Sequence, residues 1–497
     1  MGRLVLLPLL FLLLVVTPGS VFGDTGGLSA DDYLSLGDNA LSMDATSKAI
    51  DLYEKGIEAL LEDESLLTVL SLETNIATAY SSIGNNEKAI EHYQKAISTY
   101  MEDIDEIVDK QMAGDATGIA SQSSFFLGMV LQDEGKATKA VDAYGYAVVL
   151  DPKLWAAWAN LGSVLHDQLG NHDDALEAYN KAYEVLTEEE NPTEPRYVLS
   201  QLQYRIGLCL THDPDRKCAL ATDPEKPVSC KEMATHAFSL AVQYDGENES
   251  AKHMLATITA DATMKRASNE YVKNLFDDYA QNFEHSLVQE LGYNGYERLR
   301  RGFDRAFGGQ ESVPSFSLVV DAGCGTGLVG EQFRNVSSYL IGVDLSEAIL
   351  DEAEKLRPNL YDERIADDVT EVFRRKKPIS LIVAADSYIY FGDLDPLFDA
   401  MEEGLDKDAY IAFTLENVGV VDEETLNDTK PDWRWQLTPS GRFAHRKEYV
   451  VSVGQAHSLS LVHYESLDGF RHEHGKQVRG HLFVMQKKNS EDDNGEL

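Results

Sequence analysis

The residues best placed to do chemistry lie between positions 316 and 350 of this 497-residue chain. Phe316-Ser-Leu-Val-Val-Asp321 is a short apolar run ending in a carboxylate, and it leads directly into Ala322-Gly323-Cys324-Gly325-Thr326-Gly327. Glycines there let the backbone turn sharply and approach a ligand closely, and the helix that follows presents free N–H groups. A second run, Ser338-Tyr-Leu-Ile-Gly-Val343, ends in Asp344, where a carboxylate at a strand tip can accept both hydroxyls of a ribose. The chemistry is that of a nucleoside-bearing cofactor.

Charge separates the candidate cofactors. A dinucleotide pyrophosphate is repelled by Asp321, whereas the methionine ammonium of S-adenosylmethionine is attracted to it, directly or through water. After Asp344 comes Leu345-Ser346-Glu347-Ala348, with Ser346 as a helix N-cap and no basic residue for a 2′-phosphate. S-adenosylmethionine is the reading these residues favour.

Other elements must position this site. Buried strands and amphipathic helices alternate from Phe316 onward, a fifth strand is expected over Ala409 to Leu415, and helices precede them from Tyr271 to Phe307. The amino-terminal half repeats one pattern: Gly37, Ala49 and Tyr53; Ala77, Tyr80, Gly84, Ala89, Tyr93 and Ala96; Gly128, Gly135, Ala140, Tyr144, Ala147 and Pro152; Gly162, Gly170, Ala175, Tyr179 and Ala182; and Gly207 with Ala234, Phe238 and Ala241. The 34-residue step from Gly128 to Gly162 is the tetratricopeptide period. Small residues let paired helices approach, the aromatic fills the gap to the next pair, and stacking leaves a concave groove suited to a protein or peptide partner. The array is expected over Ser29–Ala260, its last helix acting as a cap, with a cysteine-bearing insertion near 209–230.

The glycine loop and the Gly342-Val343-Asp344-Leu345-Ser346 turn resemble the signature of class I S-adenosylmethionine-dependent methyltransferases. More narrowly, Leu275 to Lys487 is similar to predicted methyltransferases fused to tetratricopeptide repeats, through Phe276-Asp-Asp-Tyr279-Ala280-Gln-Asn-Phe283, Ile382-Val-Ala-Ala385-Asp386-Ser-Tyr388-Ile-Tyr390-Phe391, Gly441-Arg442-Phe443-Ala444-His445 and Gly480-His-Leu-Phe-Val484. The resemblance implies a tetratricopeptide helical solenoid followed by a Rossmann-like methyltransferase domain over residues 270–488. It implies that Asp321, Gly323, Gly325 and Gly327 line the methionine end, that Asp344 holds the ribose, and that Leu345 packs on the adenine. Asp367 or Asp368 would accept from the adenine amino group beside Val369. Ala385 and Asp386 would border cofactor and acceptor. Tyr279, Tyr388, Tyr390 and His445 are candidates to line the acceptor pocket or to pack behind it, and Trp433 and Trp435 to form an acceptor lid or loop anchors. The resemblance names no acceptor, which is left as polypeptide or small molecule, and no general base. An adaptor whose methyltransferase-like half is inactive is the alternative.

Composition bounds the rest. A formal net charge of −41 disfavours phosphate-backbone partners, so no nucleic acid is expected; Arg298–Arg301 and Arg374–Lys377 read as solvated helix ends. Arg3 followed by the apolar run Leu4 to Val16 has signal-peptide anatomy, with cleavage expected near Gly23–Asp24 and entry into the secretory lumen or medium; an uncleaved anchor or a plastid address are the alternatives. No stable membrane insertion is expected after cleavage, and residues 489–497 form an acidic tail. In an oxidising lumen, Cys209, Cys218 and Cys230 imply one disulfide with a thiol left over, Cys218–Cys230 being the favoured pair. Cys324 reads as a packing residue, no Cys/His spacing supports a metal, and Asn248, Asn335 and Asn427 lie in glycosylation triplets.

Overall fold

A computed structural model describes residues 28–61, 65–104, 110–188, 195–213, 216–220, 223–280, 284, 292–473 and 476–488. The proposed signal segment and acidic tail lie outside the described residues. The chain divides into two compact units, one ending at Gly246 and the other beginning at Glu247.

The first unit is a helical solenoid. Its described helices form five successive pairs: α1 (Ala30–Ser42) and α2 (Thr46–Glu58), α3 (Leu66–Ser82) and α4 (Asn86–Asp103), α5 (Lys110–Asp133) and α6 (Ala137–Leu150), α7 (Trp155–Ser163) and α8 (His172–Glu188), α9 (Arg196–Thr211) and α10 (Cys230–Tyr244). The glycines of the repeat explain the pairing. A Cβ on Gly37 would stand 2.3 Å from the Tyr53 ring, one on Gly128 2.6 Å from Tyr144, one on Gly162 2.9 Å from Tyr179, and one on Gly207 2.4 Å from Phe238. Each aromatic ring therefore lies on the bare backbone of the preceding helix, at a distance no side chain would permit. Polar groups tie neighbouring pairs: Asp38 accepts from Tyr53 (2.7 Å) and from Asn75 of the next pair (2.8 Å), and buried Arg205 donates twice to Asp167 (3.1 and 3.0 Å). The insertion forms an antiparallel hairpin of β1 (Lys217–Leu220) and β2 (Asp223–Ser229). Cys230 is disulfide-bonded and Cys209 is a free buried thiol; the side chain of Cys218 lies outside the described residues.

The second unit opens with α11 (Glu249–Thr259), α12 (Asn269–Tyr279) and α13 (Gly295–Ala306). The sequence reading gave α11 to the array as its cap. Instead it packs in this unit, where buried His253 stacks on Tyr271 at 3.9 Å and its Nε2 donates to the carbonyl of Gly441 (2.7 Å). Asn248, one of the glycosylation candidates, is the buried N-cap of this helix.

There follow β3 (Val319–Ala322), α14 (Leu328–Phe333), β4 (Leu340–Asp344), α15 (Glu347–Leu356), β5 (Glu363–Ala366), α16 (Val369–Arg375), β6 (Ile379–Ala384), α17 (Asp395–Gly404) and β7 (Leu405–Asn417). After them come α18 (Val420–Thr429), β8 (Trp435–Leu437), β9 (Phe443–His445), α19 (Lys447–Ala456), β10 (Leu459–Glu473) and β11 (Lys476–Lys487). The sheet runs β10-β11-β7-β6-β3-β4-β5, parallel from β5 to β7, with β11 antiparallel to β7 and β10 antiparallel to β11. The inner strands are apolar without alternation because both faces are covered: Val320, Ile341 and Ile382 enter one core, Val319, Leu340 and Leu381 the other. Strand order reverses between β3 and β6, so a crevice opens above their carboxyl ends. Among the described residues no helix is long and apolar enough to cross a membrane.

Candidate functional site

The glycine loop leaves β3 and turns back on β4. The amides of Gly323 and Cys324 both donate to the carbonyl of Val343 (2.8 and 2.9 Å), which requires the left-handed backbone at Gly323 (φ 70°). A Cβ on Gly323 would also lie 2.1 Å from Ser387 Oγ, so the loop interlocks with the end of β6. The Gly325 amide donates to Asp344 Oδ2 (3.0 Å) and the Ser346 amide to Oδ1 (3.1 Å), which fixes the carboxylate at the tip of β4. Between these loops lies a cavity of about 360 Å³. Its volume is that of a small-molecule site, at the lower end of the usual range.

Gly323, Gly325, Asp344, Leu345, Asp368, Val369 and Ala385, all expected from sequence, line this cavity, as do Asp386 and Tyr390. Asp321, Gly327 and Asp367 are not among the lining residues. Asp321 is fully buried, where Oδ2 accepts from the Tyr361 hydroxyl (2.7 Å) and Oδ1 has no hydrogen-bond partner among the described residues. Tyr361 lies across Gly330 and Gly342, at which any Cβ would come within 2.5 and 2.9 Å of it. Asp367 pairs with Arg375 (2.9 Å). Asp368 caps α16: Oδ1 accepts from the amide and hydroxyl of Thr370 (2.8 and 2.7 Å), and Oδ2 from Arg266 (2.5 Å) and Asn269 (2.8 Å). Its lone pairs are thereby engaged within the protein.

The electrostatics are those of an anionic cradle. Burial raises the Asp321 carboxyl to about 7, opposed by the Tyr361 hydroxyl and the Gly330 amide and reinforced by the charge of Asp344. Burial likewise raises Asp344 to about 6, against the amides of Ser346, Gly325 and Leu345. Two carboxylates thus share a poorly solvated site. Cys324 is buried beside them, and that burial holds its thiol well above the ordinary range, as expected of a packing residue rather than a nucleophile.

The cavity wall decides three of these alternatives. Tyr388 is fully buried against Phe391 and Phe413, outside the cavity. His445 is a neutral core residue, pushed by burial down to about 3, with Nε2 donating to the carbonyl of Gly392 (3.1 Å). Trp433 donates to Asn427 (2.9 Å) and Trp435 to the carbonyl of Met264 (3.3 Å); neither lines the cavity, so they anchor loops and form no lid. The Tyr279 side chain lies outside the described residues. Arg374, read as part of a solvated basic run, pairs with Glu371, Asp399 and Glu403.

Sequence reasoning missed the wall contributed by α12 and its approach, chiefly Arg266, Asn269, Tyr271 and Phe276, together with Tyr293 and Tyr296. The resemblance touched this helix at Phe276, to which it gave no role, and at Tyr279, the one residue of it named as a pocket candidate. Glu284 lies beyond it, accepting from Thr326 Oγ1 (2.7 Å) and pairing with both Arg357 nitrogens (2.7 and 3.0 Å), so that it braces the glycine loop from outside.

Tetratricopeptide repeat models match residues 127–195 and 74–100. No curated protein matches the chain. Among solved structures, a magnesium protoporphyrin IX methyltransferase from Synechocystis with bound S-adenosylhomocysteine is similar at 11% identity and a TM-score of 0.34, covering 44% of this chain and all of its own. An S-adenosylmethionine-dependent methyltransferase from Clostridium acetobutylicum is similar at 15% identity and a TM-score of 0.31, covering 43% of this chain and all of its own. The protein MamA is similar at 20% identity and a TM-score of 0.31, covering 46% of this chain and 98% of its own. At such low values the repeats, the strand order and the loop geometry define the molecule. The first unit carries tetratricopeptide repeats, and the second is a Rossmann-like α/β domain.

Proposed function

We propose that this protein transfers a methyl group from S-adenosylmethionine to an acceptor, and that its repeat array engages a protein or peptide partner. The observation that carries this reading is the pair of buried carboxylates, Asp321 and Asp344, beneath and beside a glycine loop that fits closely around them. A cationic cofactor relieves their repulsion, whereas a pyrophosphate would add to it. Bound there, S-adenosylmethionine supplies a methyl group already activated on sulfur, so the protein's work is positioning and exclusion of water. Asp344 accepts the ribose hydroxyls, and Gly323 and Gly325 let the backbone approach the methionine end. Leu345 and Val369 enclose the adenine, and Asp368 acts by fixing the adenine loop. Asp321 contributes its charge from below. The signal-like Leu4–Val16 run and the disulfide at Cys230 support a site of action in the secretory pathway.

Incubation with methyl-tritiated S-adenosylmethionine and separated protein and low-mass fractions of an extract tests this. Label is expected to enter one fraction with the wild type and none with Asp344→Ala. A cofactor-binding wild type that labels neither fraction would favour the inactive adaptor.

A further inference from the structure

The chain holds three Asn-x-Ser/Thr triplets without an intervening proline, at Asn248, Asn335 and Asn427. None of the three lines the cavity. Their surroundings differ in ways the triplets cannot show. Asn248 is buried as the N-cap of α11, its Oδ1 accepting from the Ala251 amide (2.9 Å). An oligosaccharide on that side chain would need space that the packed helix end does not leave.

Asn335 and Asn427 are exposed, and each is held by its oxygen. Asn335, in the turn between α14 and β4, accepts at Oδ1 from Arg300 Nη1 (3.0 Å). Asn427, near the end of α18, accepts at Oδ1 from Trp433 Nε1 (2.9 Å). Guanidinium and indole nitrogens donate and do not accept, so the amide atom facing them is the oxygen. Nδ2 is then the outward atom at both positions, and among the described residues it has no hydrogen-bond partner. Substitution on Nδ2 keeps the carbonyl, and with it the bonds from Arg300 and Trp433. Modification would thus spare the atom that the fold uses and take the one left to solvent.

We propose that the folded protein carries N-linked oligosaccharides at Asn335 and Asn427 and none at Asn248. This rests on reading Leu4–Val16 as a secretory signal, because the transferase and its donor, an oligosaccharide on a polyprenyl diphosphate, face the lumen. In the transfer, Nδ2 loses one proton and bonds to C1 of the sugar. The C1–O bond breaks, and the polyprenyl diphosphate leaves with that electron pair. Asn335 precedes β4 and so stands at the amino-terminal edge of the sheet, away from the crevice; Asn427 follows β7, on the crevice side but outside the cavity wall.

The test expresses the full chain in cultured mammalian cells, takes microsomes for protease protection, and purifies the folded protein by gel filtration. Peptide-N-glycosidase in heavy-oxygen water converts each glycan-bearing Asn to a labelled Asp, which peptide mapping locates. Label is expected at Asn335 and Asn427 and not at Asn248, and the glycosidase is expected to remove two steps of apparent mass on a denaturing gel. Asn335→Gln and Asn427→Gln are each expected to remove one step. A protease-protected, folded chain without label at Asn335 or at Asn427, or with label at Asn248, overturns the proposal. A chain digested from outside the microsomes overturns the secretory reading first and the proposal with it.

Discussion

Replacing Gly323 by alanine sets two costs against the site at once. The backbone there is left-handed (φ 70°), which disfavours any L side chain by about 1–2 kcal/mol. The added Cβ would meet Ser387 at 2.1 Å from Oγ and 2.5 Å from Cβ. Rotation can move Oγ but not Cβ, so the loop or the end of β6 must shift, at about 1–3 kcal/mol for overpacking. A shifted loop also loosens the Gly325 amide from Asp344. Together these predict S-adenosylmethionine binding weakened by roughly thirty- to several-thousandfold, taking about 1.4 kcal/mol per decade. Ser387→Gly removes both clashing atoms, so the double variant recovers the overpacking part and retains the backbone strain. Isothermal titration of all four members of the cycle yields the coupling, expected at about 1–3 kcal/mol. Gly323→Ala binding within about threefold of wild type, or a strictly additive double variant, would refute this reasoning.

Other predictions concern charge and packing. Asp321 and Asp344 are raised to about 7 and 6, so their burial as neutral acids favours the fold below about pH 4, and that contribution is lost as pH climbs through 6 to 7. Affinity for the cationic cofactor is expected to rise over the same window, measured by titration from pH 5 to pH 8; a flat profile contradicts it. Asp321→Asn is expected to raise thermal stability of the empty protein at pH 8 and to leave it nearly unchanged at pH 5. In the array, Gly128→Ala is expected to destabilise by about 1–3 kcal/mol through contact with Tyr144. Gly118→Ala, in the same helix with open space around it, is expected to stabilise by about 0.5–1 kcal/mol, both read by calorimetric unfolding of the full chain.

The parts legible in the sequence were those written in local pattern. Gly128 and Tyr144 repeat at Gly37 and Tyr53 because each ring needs bare helix backbone beneath it, and such a need recurs with the repeat. Asp321, the glycines and Asp344 were legible because strand, turn and carboxylate follow one another directly. Contacts between distant segments left no such trace. Nothing near Asp368 in sequence shows that Arg266 and Asn269, about a hundred residues earlier, occupy its oxygens. Tyr361 precedes β5 without any motif, yet it decides why positions 330 and 342 are glycine. Residue type leaves His445 and Tyr388 open between pocket and packing roles, and only their burial places them in the core. Helix α11 continues the array in chain order and was assigned accordingly, whereas His253 commits it to the second unit.

Calorimetric titration of S-adenosylmethionine into the folded full chain, beside Asp344→Ala and with NAD as a control ligand, asks whether the glycine-loop cavity is a methyl-donor site. Saturable binding at one site is expected, weakened at least about tenfold in the variant and absent for NAD. A folded wild type that fails to bind S-adenosylmethionine, or that binds NAD as well, would contradict it.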